Sequence, residues 1–160
     1  MVDITIEELN DSLDFSAFSC KTEDVNFFLH KKGLVQQKKL LTTIYTLHIN
    51  KKVIGYIAIA CGFIRVQLKD EIDKMRIPGL FIGQLGIDAK YEGNNLGQLL
   101  IKHVIAIAHH INKQIACRII FLESMDEKVE SYKKKFFEFV ERPRENRNIM
   151  IYDLYPLNQK

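Results

Sequence analysis

At 160 residues the chain is expected to form a single domain, residues 1–160, with enough material to bury a core of its own. A content of 47% hydrophobic and 27% charged residues excludes a disordered or fibrous chain, and a net charge of +3 permits an acidic ligand without demanding one. The acidic N-terminus (Asp3, Glu7, Glu8) does not read as a secretory signal. The longest apolar run, Tyr56 to Cys61, is too short to span a bilayer, so a cytoplasmic protein without membrane contact is expected. Cys20, Cys61 and Cys117 lack metal-ligand spacing and leave an odd thiol, which reads as reduced cysteines and no metal site.

In chain order, Ile4–Ile6 predicts a short strand. Thr22 fits a helix N-cap, and Val25, Phe28 and Leu29 repeat at helical spacing to about His30 or Lys32, with Gly33 as the C-terminal residue. A second helical piece is expected over Leu34–Leu40, and Lys31, Lys32, Lys38 and Lys39 give this region a basic surface. Thr42–Ile49 alternates and is β-branched, hence a strand. Asn50-Lys51-Lys52 turns it into a second strand over Val53–Ile64, with a bulge at Gly55. Arg65–Arg76 reads as a charged surface loop, and Pro78-Gly79 punctuates the chain before a central strand from Leu80 to Ile87.

The next stretch organises the rest. A polar, glycine-bearing turn, Tyr91–Gly97, leads into Leu96, Leu99, Leu100, His103, Val104, Ile107 and Ile111, which share one helix face. Asn112-Lys113 ends that helix, and Ala116–Leu122 is apolar and β-branched, so the two strands flanking the helix are expected to run parallel. Asp126–Phe139 carries Val129, Tyr132, Phe136 and Phe139 at helical spacing. Pro143 interrupts inside a basic patch of Arg142, Arg144 and Arg147, and Asn148–Tyr155 is a last strand ended by Pro156. A strand, a loose loop and a helix N-terminus in succession offer unpaired N–H groups and positive potential to an anion. Gly93 and Gly97 let a phosphate approach the backbone. The plain alternative is a strand-to-helix turn that binds nothing. No Gly-Lys-Ser/Thr and no Gly-x-Gly-x-x-Gly is present, so this is neither a nucleotide P-loop nor a dinucleotide fingerprint.

These residues resemble the GNAT acyl-CoA N-acyltransferases. In that family a loop of pattern Gln/Arg-x-x-Gly-x-Gly/Ala holds the cofactor pyrophosphate, and Glu92-Gly93-Asn94-Asn95-Leu96-Gly97 is similar to it. Glu92 replaces Gln or Arg, and Asn95 replaces the first glycine. Asn tolerates a left-handed backbone, which would keep the loop's shape. Ser131–Phe137 resembles the family's Phe-Tyr-x-x-x-Gly-Phe segment, with Phe136 in place of glycine. Phe18-Ser19-Cys20, Val25–Leu29 and Val53–Tyr56 resemble the Phe-x-Cys-Gly, Leu-Asp-x-Phe-Leu and Val-x-Gly-Tyr segments of a subgroup that includes toxins acetylating aminoacyl-tRNA. Lys21 stands where that subgroup has glycine.

The resemblance implies a mixed α/β sheet with an antiparallel N-terminal half, parallel central strands and flanking helices. It implies direct acetyl transfer from acetyl-CoA to a primary amine. Leu85, Gly86 and Ile87 would pair with the pantetheine arm, the N–H groups of Gly93, Asn94, Asn95, Leu96, Gly97 and Gln98 would hold the pyrophosphate, and Tyr132 would be the general acid for the departing thiolate. Implied partners are acetyl-CoA, an aminoacyl-tRNA, an antitoxin protein and a second copy of the chain. Acetylation of a small amine or a protein N-terminus, and a non-catalytic acyl-CoA-binding module, remain alternatives. An α-amine titrates near ~8 against ~10.4 for a lysine side chain, so it needs less help from a base, and no buried base is evident. Glu123 reads as a base, acting directly or through water, or equally as a helix-entry cap or a solvated residue. Tyr132 at core spacing also reads as a packed aromatic, and His103 as a core histidine.

Overall fold

The computed structural model describes residues 2–155. The expected end of the last strand at Pro156 lies outside the described residues. The strands are β1 (Thr5–Glu8), β2 (Thr43–Ile49), β3 (Lys52–Val66), β4 (Met75–Ile87), β5 (Ile119–Ser124), β6 (Glu138–Arg144) and β7 (Arg147–Asp153). They form a seven-stranded sheet in the order β1-β2-β3-β4-β5-β7-β6. The helices are α1 (Glu23–Phe27), a π-helical turn Phe28–Lys32, α2 (Gly33–Lys38), α3 (Leu96–Ile111) and α4 (Val129–Lys134). The chain divides into two compact units, Met1–Ala60 with Gly83–His103, and Cys61–Ile82 with Val104–Lys160.

In the first unit β1, β2 and β3 are antiparallel neighbours. The β2–β3 turn holds Asn50 at φ 48° and Lys51 at φ 69°, the two positive values of a tight hairpin turn whose twist suits the flanking strands. The expected bulge is present: Leu47 faces Gly55 and His48 faces Val53, so one residue of β3 is unopposed. Helices α1 and α2 cover an apolar cluster of Leu9, Leu13, Phe18, Val25, Leu29, Ile44, Val53 and Tyr56. Gly33 does not end a helix. Its φ of −54° continues the right-handed path, and its missing Cβ brings the helix against Ile44, whose Cδ1 would sit 3.0 Å from any added methyl. The helical stretch therefore runs through a π turn to Lys38, where two separate pieces were expected.

The second unit contains the parallel pair predicted across the helix: Gly79–Phe81 of β4 faces Ile119–Phe121 of β5. Pro78-Gly79 lies within β4 rather than before it. Pro78 donates nothing, but its carbonyl accepts from the Arg118 N–H at 2.9 Å. A Cβ on Gly79 would come 2.2 Å from the Ile119 carbonyl oxygen, so glycine is what allows these strands to meet. The expected helix over Asp126–Phe139 is shorter. It ends at Lys134, and Phe139 belongs to β6, a strand not foreseen. Pro143 is tolerated there because β6 is an edge strand. Arg118, on the approach to β5, forms a fork with Asp153 at 2.6 and 2.9 Å, reaches Asp70 at 3.0 Å and stacks on Tyr155.

Candidate active site

The glycine-bearing loop lies in the first unit. Asp88, buried, accepts from the backbone N–H of Lys90 at 2.9 Å and of Ser19 at 3.0 Å, tying the turn after β4 to the chain before α1. Asn94 donates its amide to the Tyr91 carbonyl at 3.0 Å and to that of Glu92 at 3.4 Å, which curls the loop on itself. Gly93 has φ 83° and Asn95 φ 59°. The position resembling a family glycine thus adopts the left-handed backbone expected of Asn95. A methyl built on Gly93 would meet nothing within 4 Å, so the loop's outer side is open. Leu99 N–H to the Asn95 carbonyl, at 3.2 Å, starts the bonded ladder, and the N–H groups of Leu96, Gly97 and Gln98 precede it. Leu96 and Gly97 are buried and anchor the helix start, while Gly93, Asn94 and Asn95 are exposed. An open left-handed turn leading into a 16-residue helix, whose first N–H groups precede the bonded ladder, fits an anionic diphosphate.

Leu85, Gly86 and Ile87 occupy the end of β4 in the same unit. Gly86 is there for packing as much as for a ligand: its added methyl would lie 2.4 Å from Val25 Cγ1, with Phe18 and Cys20 close behind. Asn26, buried in α1, accepts from the Cys20 N–H at 2.8 Å and donates to the Cys20 carbonyl at 3.0 Å. Tyr56 donates its hydroxyl to the Val25 carbonyl at 2.6 Å, and burial pushes its pKa well up, so it is a structural phenol. Sequence reasoning gave no role to Asn26, Asp88 or Tyr56. The signal was available only in part, since Asn26 stands where the resembled segment has Asp.

Tyr132 lies on α4 of the second unit. The start of that helical segment is pinned by Asn148, which donates to the Ser124 carbonyl at 3.1 Å and to Asp126 at 2.7 Å. Its end is a tight stop: Phe136 N–H bonds the Lys133 carbonyl at 3.2 Å and Phe137 N–H the Tyr132 carbonyl at 3.1 Å. That is the Schellman pair, and it requires a left-handed residue between; Phe136 supplies it at φ 78°. The Tyr132 ring packs edge-on against Phe137 at 5.9 Å, and Lys135 Nζ sits 5.4 Å from its centroid. Burial pushes the Tyr132 phenol up to about 12. At neutral pH it therefore carries its proton and can donate a hydrogen bond.

Glu123 is exposed and lies 3.8 Å from Arg144, the solvated arrangement rather than a buried base. His103 packs edge-on against Tyr45 at 4.6 Å, and burial lowers its pKa. The basic patch is partly offset by acids, since Arg142 pairs with Asp126 at 3.0 Å. Among the described residues no group of His, Cys, Asp and Glu is arranged to hold a metal ion, and no helix is long and apolar enough to cross a membrane.

No family model and no curated protein sequence matches the chain. Solved structures do. The chain is 25% identical to a tyrosine-to-phenylalanine variant of the toxin AtaT bound to the C-terminus of the antitoxin AtaR, with TM-score 0.80, over 98% of this chain and 97% of that one. It is 25% identical to AtaTR bound with acetyl-CoA, with TM-score 0.81, over 98% and 97% of the two chains. It is 24% identical to AtaT complexed with acetyl-methionyl-tRNAfMet, with TM-score 0.85, over 98% of each. The fold is that of the GNAT acyltransferases. Within that class the solved structures it resembles over its whole length are toxin acetyltransferases.

Proposed function

We infer that the protein is an acetyl-CoA-dependent N-acetyltransferase that passes the acetyl group directly to a primary amine, the α-amine of an aminoacyl-tRNA. The observation that carries this is the loop after β4, with Gly93 and Asn95 both left-handed and the start of α3 behind them. It is supported by end-to-end likeness to AtaT, a toxin seen with acetyl-CoA and with acetyl-methionyl-tRNA. In this reading residues 1–160 act as one acetyltransferase domain in the cytoplasm, where charged tRNA is found. An antitoxin partner follows from the likeness to AtaT with AtaR.

The N–H groups of Gly93, Asn94, Asn95, Leu96, Gly97 and Gln98 hold the diphosphate. The β4–β5 ladder stops at Phe81 while β4 continues to Ile87, so the backbone of Leu85, Gly86 and Ile87 is offered to the pantetheine amides as an added strand would be. An N–H there holds the thioester oxygen as its charge develops. The neutral amine attacks the carbonyl carbon, the C–S bond breaks, and the amine's proton leaves to solvent. Tyr132 donates to the departing sulfur. A thiol of pKa about 8.5 is a fair leaving group, so a phenol of much higher pKa acts chiefly as a hydrogen-bond donor to the thiolate.

The test is acetyl transfer to a panel of charged tRNAs, free amino acids, polyamines and peptide N-termini. Charged tRNA is expected to be the fastest acceptor, and faster turnover of free amines would replace this reading with a small-molecule one. Tyr132→Phe is expected to cut turnover by about 10²-fold or more while acetyl-CoA affinity barely changes, because only the hydroxyl is lost. Normal turnover in that variant assigns the proton to water.

A further inference from the structure

Two departures from the resembled pattern meet in space. Lys21 stands where the subgroup has glycine, and Glu92 stands where the loop ordinarily opens on Gln or Arg. Lys21 Nζ lies 2.9 Å from Glu92 Oε2. The hydrogen bond and charge of Glu92 raise the Lys21 pKa, so the ammonium form is favoured further.

An exposed ion pair is ordinarily a weak contact, because two long side chains must be ordered to make it. Here the segments that carry the two side chains are held together, which keeps the charges within reach of each other. Ser19 accepts from the Ala89 N–H at 2.9 Å and donates to Asp88 at 3.0 Å, and Cys20 is held at both its backbone groups by Asn26. On the other side Tyr91 N–H bonds the Asp88 carbonyl at 2.9 Å, and Asn94 holds the Glu92 carbonyl. The segment before α1 and the segment before the loop are thus stapled together, and Lys21 and Glu92 bridge the same gap with opposite charges.

We propose that Lys21 is a positioning residue for acetyl-CoA: docked on Glu92, its ammonium cancels a carboxylate that would otherwise repel the diphosphate from residues 93–98. The inference rests on the acetyl-CoA reading above. Glu92 immediately precedes Gly93, so its carboxylate is carried on the residue that opens the proposed anion cradle.

The experiment is titration calorimetry with acetyl-CoA on the wild-type protein, Lys21→Ala, Glu92→Gln and the double variant, with thermal midpoints measured on all four. Lys21→Ala is expected to weaken binding about three- to tenfold, the size of one partly solvated charge interaction, and the loss should shrink at high salt. Glu92→Gln is expected to bind no more weakly than wild type. The double variant should return to within about twofold of wild type, a rescue that loss of a merely structural pair would not give. Wild-type affinity in Lys21→Ala overturns the proposal, as does a double variant as weak as Lys21→Ala. A wild-type protein that binds no acetyl-CoA at all overturns the underlying functional reading as well.

Discussion

Phe136 carries the most exposed test of the local physics. It sits at the left-handed stop of α4, at φ 78°, where a Cβ ordinarily clashes with the following carbonyl. That strain costs a residue with a side chain about 1–2 kcal/mol. Glycine escapes it but has more freedom to lose on folding, about 0.5–1 kcal/mol relative to alanine. The difference leaves glycine favoured over alanine at this position by about 0.5–1 kcal/mol, the reverse of their order inside a helix or strand. Phe136 is 51% exposed, so removing its ring forfeits only about half of the roughly 1.5–3 kcal/mol a buried phenylalanine contributes. Phe136→Ala is therefore expected to be destabilised by about 1 kcal/mol, and Phe136→Gly to stay close to wild type. Urea unfolding followed by far-ultraviolet circular dichroism measures both. An alanine variant more stable than the glycine variant refutes the account of this turn.

Three further outcomes follow from the geometry. Gly86→Ala is expected to cost about 1–3 kcal/mol in a denaturation midpoint, because its methyl would lie 2.4 Å from the buried Val25; an unchanged midpoint means α1 and β4 slide apart freely. Lys51→Gly is expected to stabilise the hairpin by about 0.5–1 kcal/mol by placing glycine at φ 69°, the small loss being its exposed contact with Glu7, and thermal melts of the two proteins decide it. Burial lowers the His103 pKa, and among the described residues its Nε2 has no hydrogen-bond partner. Below the ordinary imidazole value near ~6.5 the unfolded chain takes a proton that the folded one resists, so stability should fall as pH drops below that point. A His103→Gln variant should lose that part of the pH dependence in melts between about pH 7.5 and 5, and an identical slope in both proteins rejects it.

The elements with a strong period were legible. The α3 bounds match the expected Leu96–Ile111 because its apolar positions step by three and four without interruption. The hairpin of β2 and β3 was legible from β-branched alternation around Asn50. What sequence periodicity missed was decided by backbone handedness and by missing methyl groups. Phe136 at helical spacing reads as one more helical residue, yet the chain turns left-handed there and Phe139 goes into a strand. Gly33 reads as a helix stop, yet its φ is right-handed and its value is close approach to Ile44.

The site divides along the same line. The loop was found because glycines between a strand and a helix are a local pattern, and the left-handed Asn95 agrees with the reading placed on it. The residues that hold the loop in place are not local. Asp88 reaches Ser19, 69 positions away, and Lys21 reaches Glu92 from the same segment. Each of these looked in the sequence like a separate oddity or an ordinary polar residue. Glu92 in particular weakens the phosphate-loop reading when the loop is considered alone, since it places a negative charge beside a diphosphate. On the proposed reading its partner offsets that charge, and it can do so because Asn26 and Asp88 bring the Cys20 segment against the turn after β4. A charge that argues against a binding site at the level of the motif argues for a compensated one at the level of the fold, and the Lys21→Ala and Glu92→Gln pair measures the difference between them.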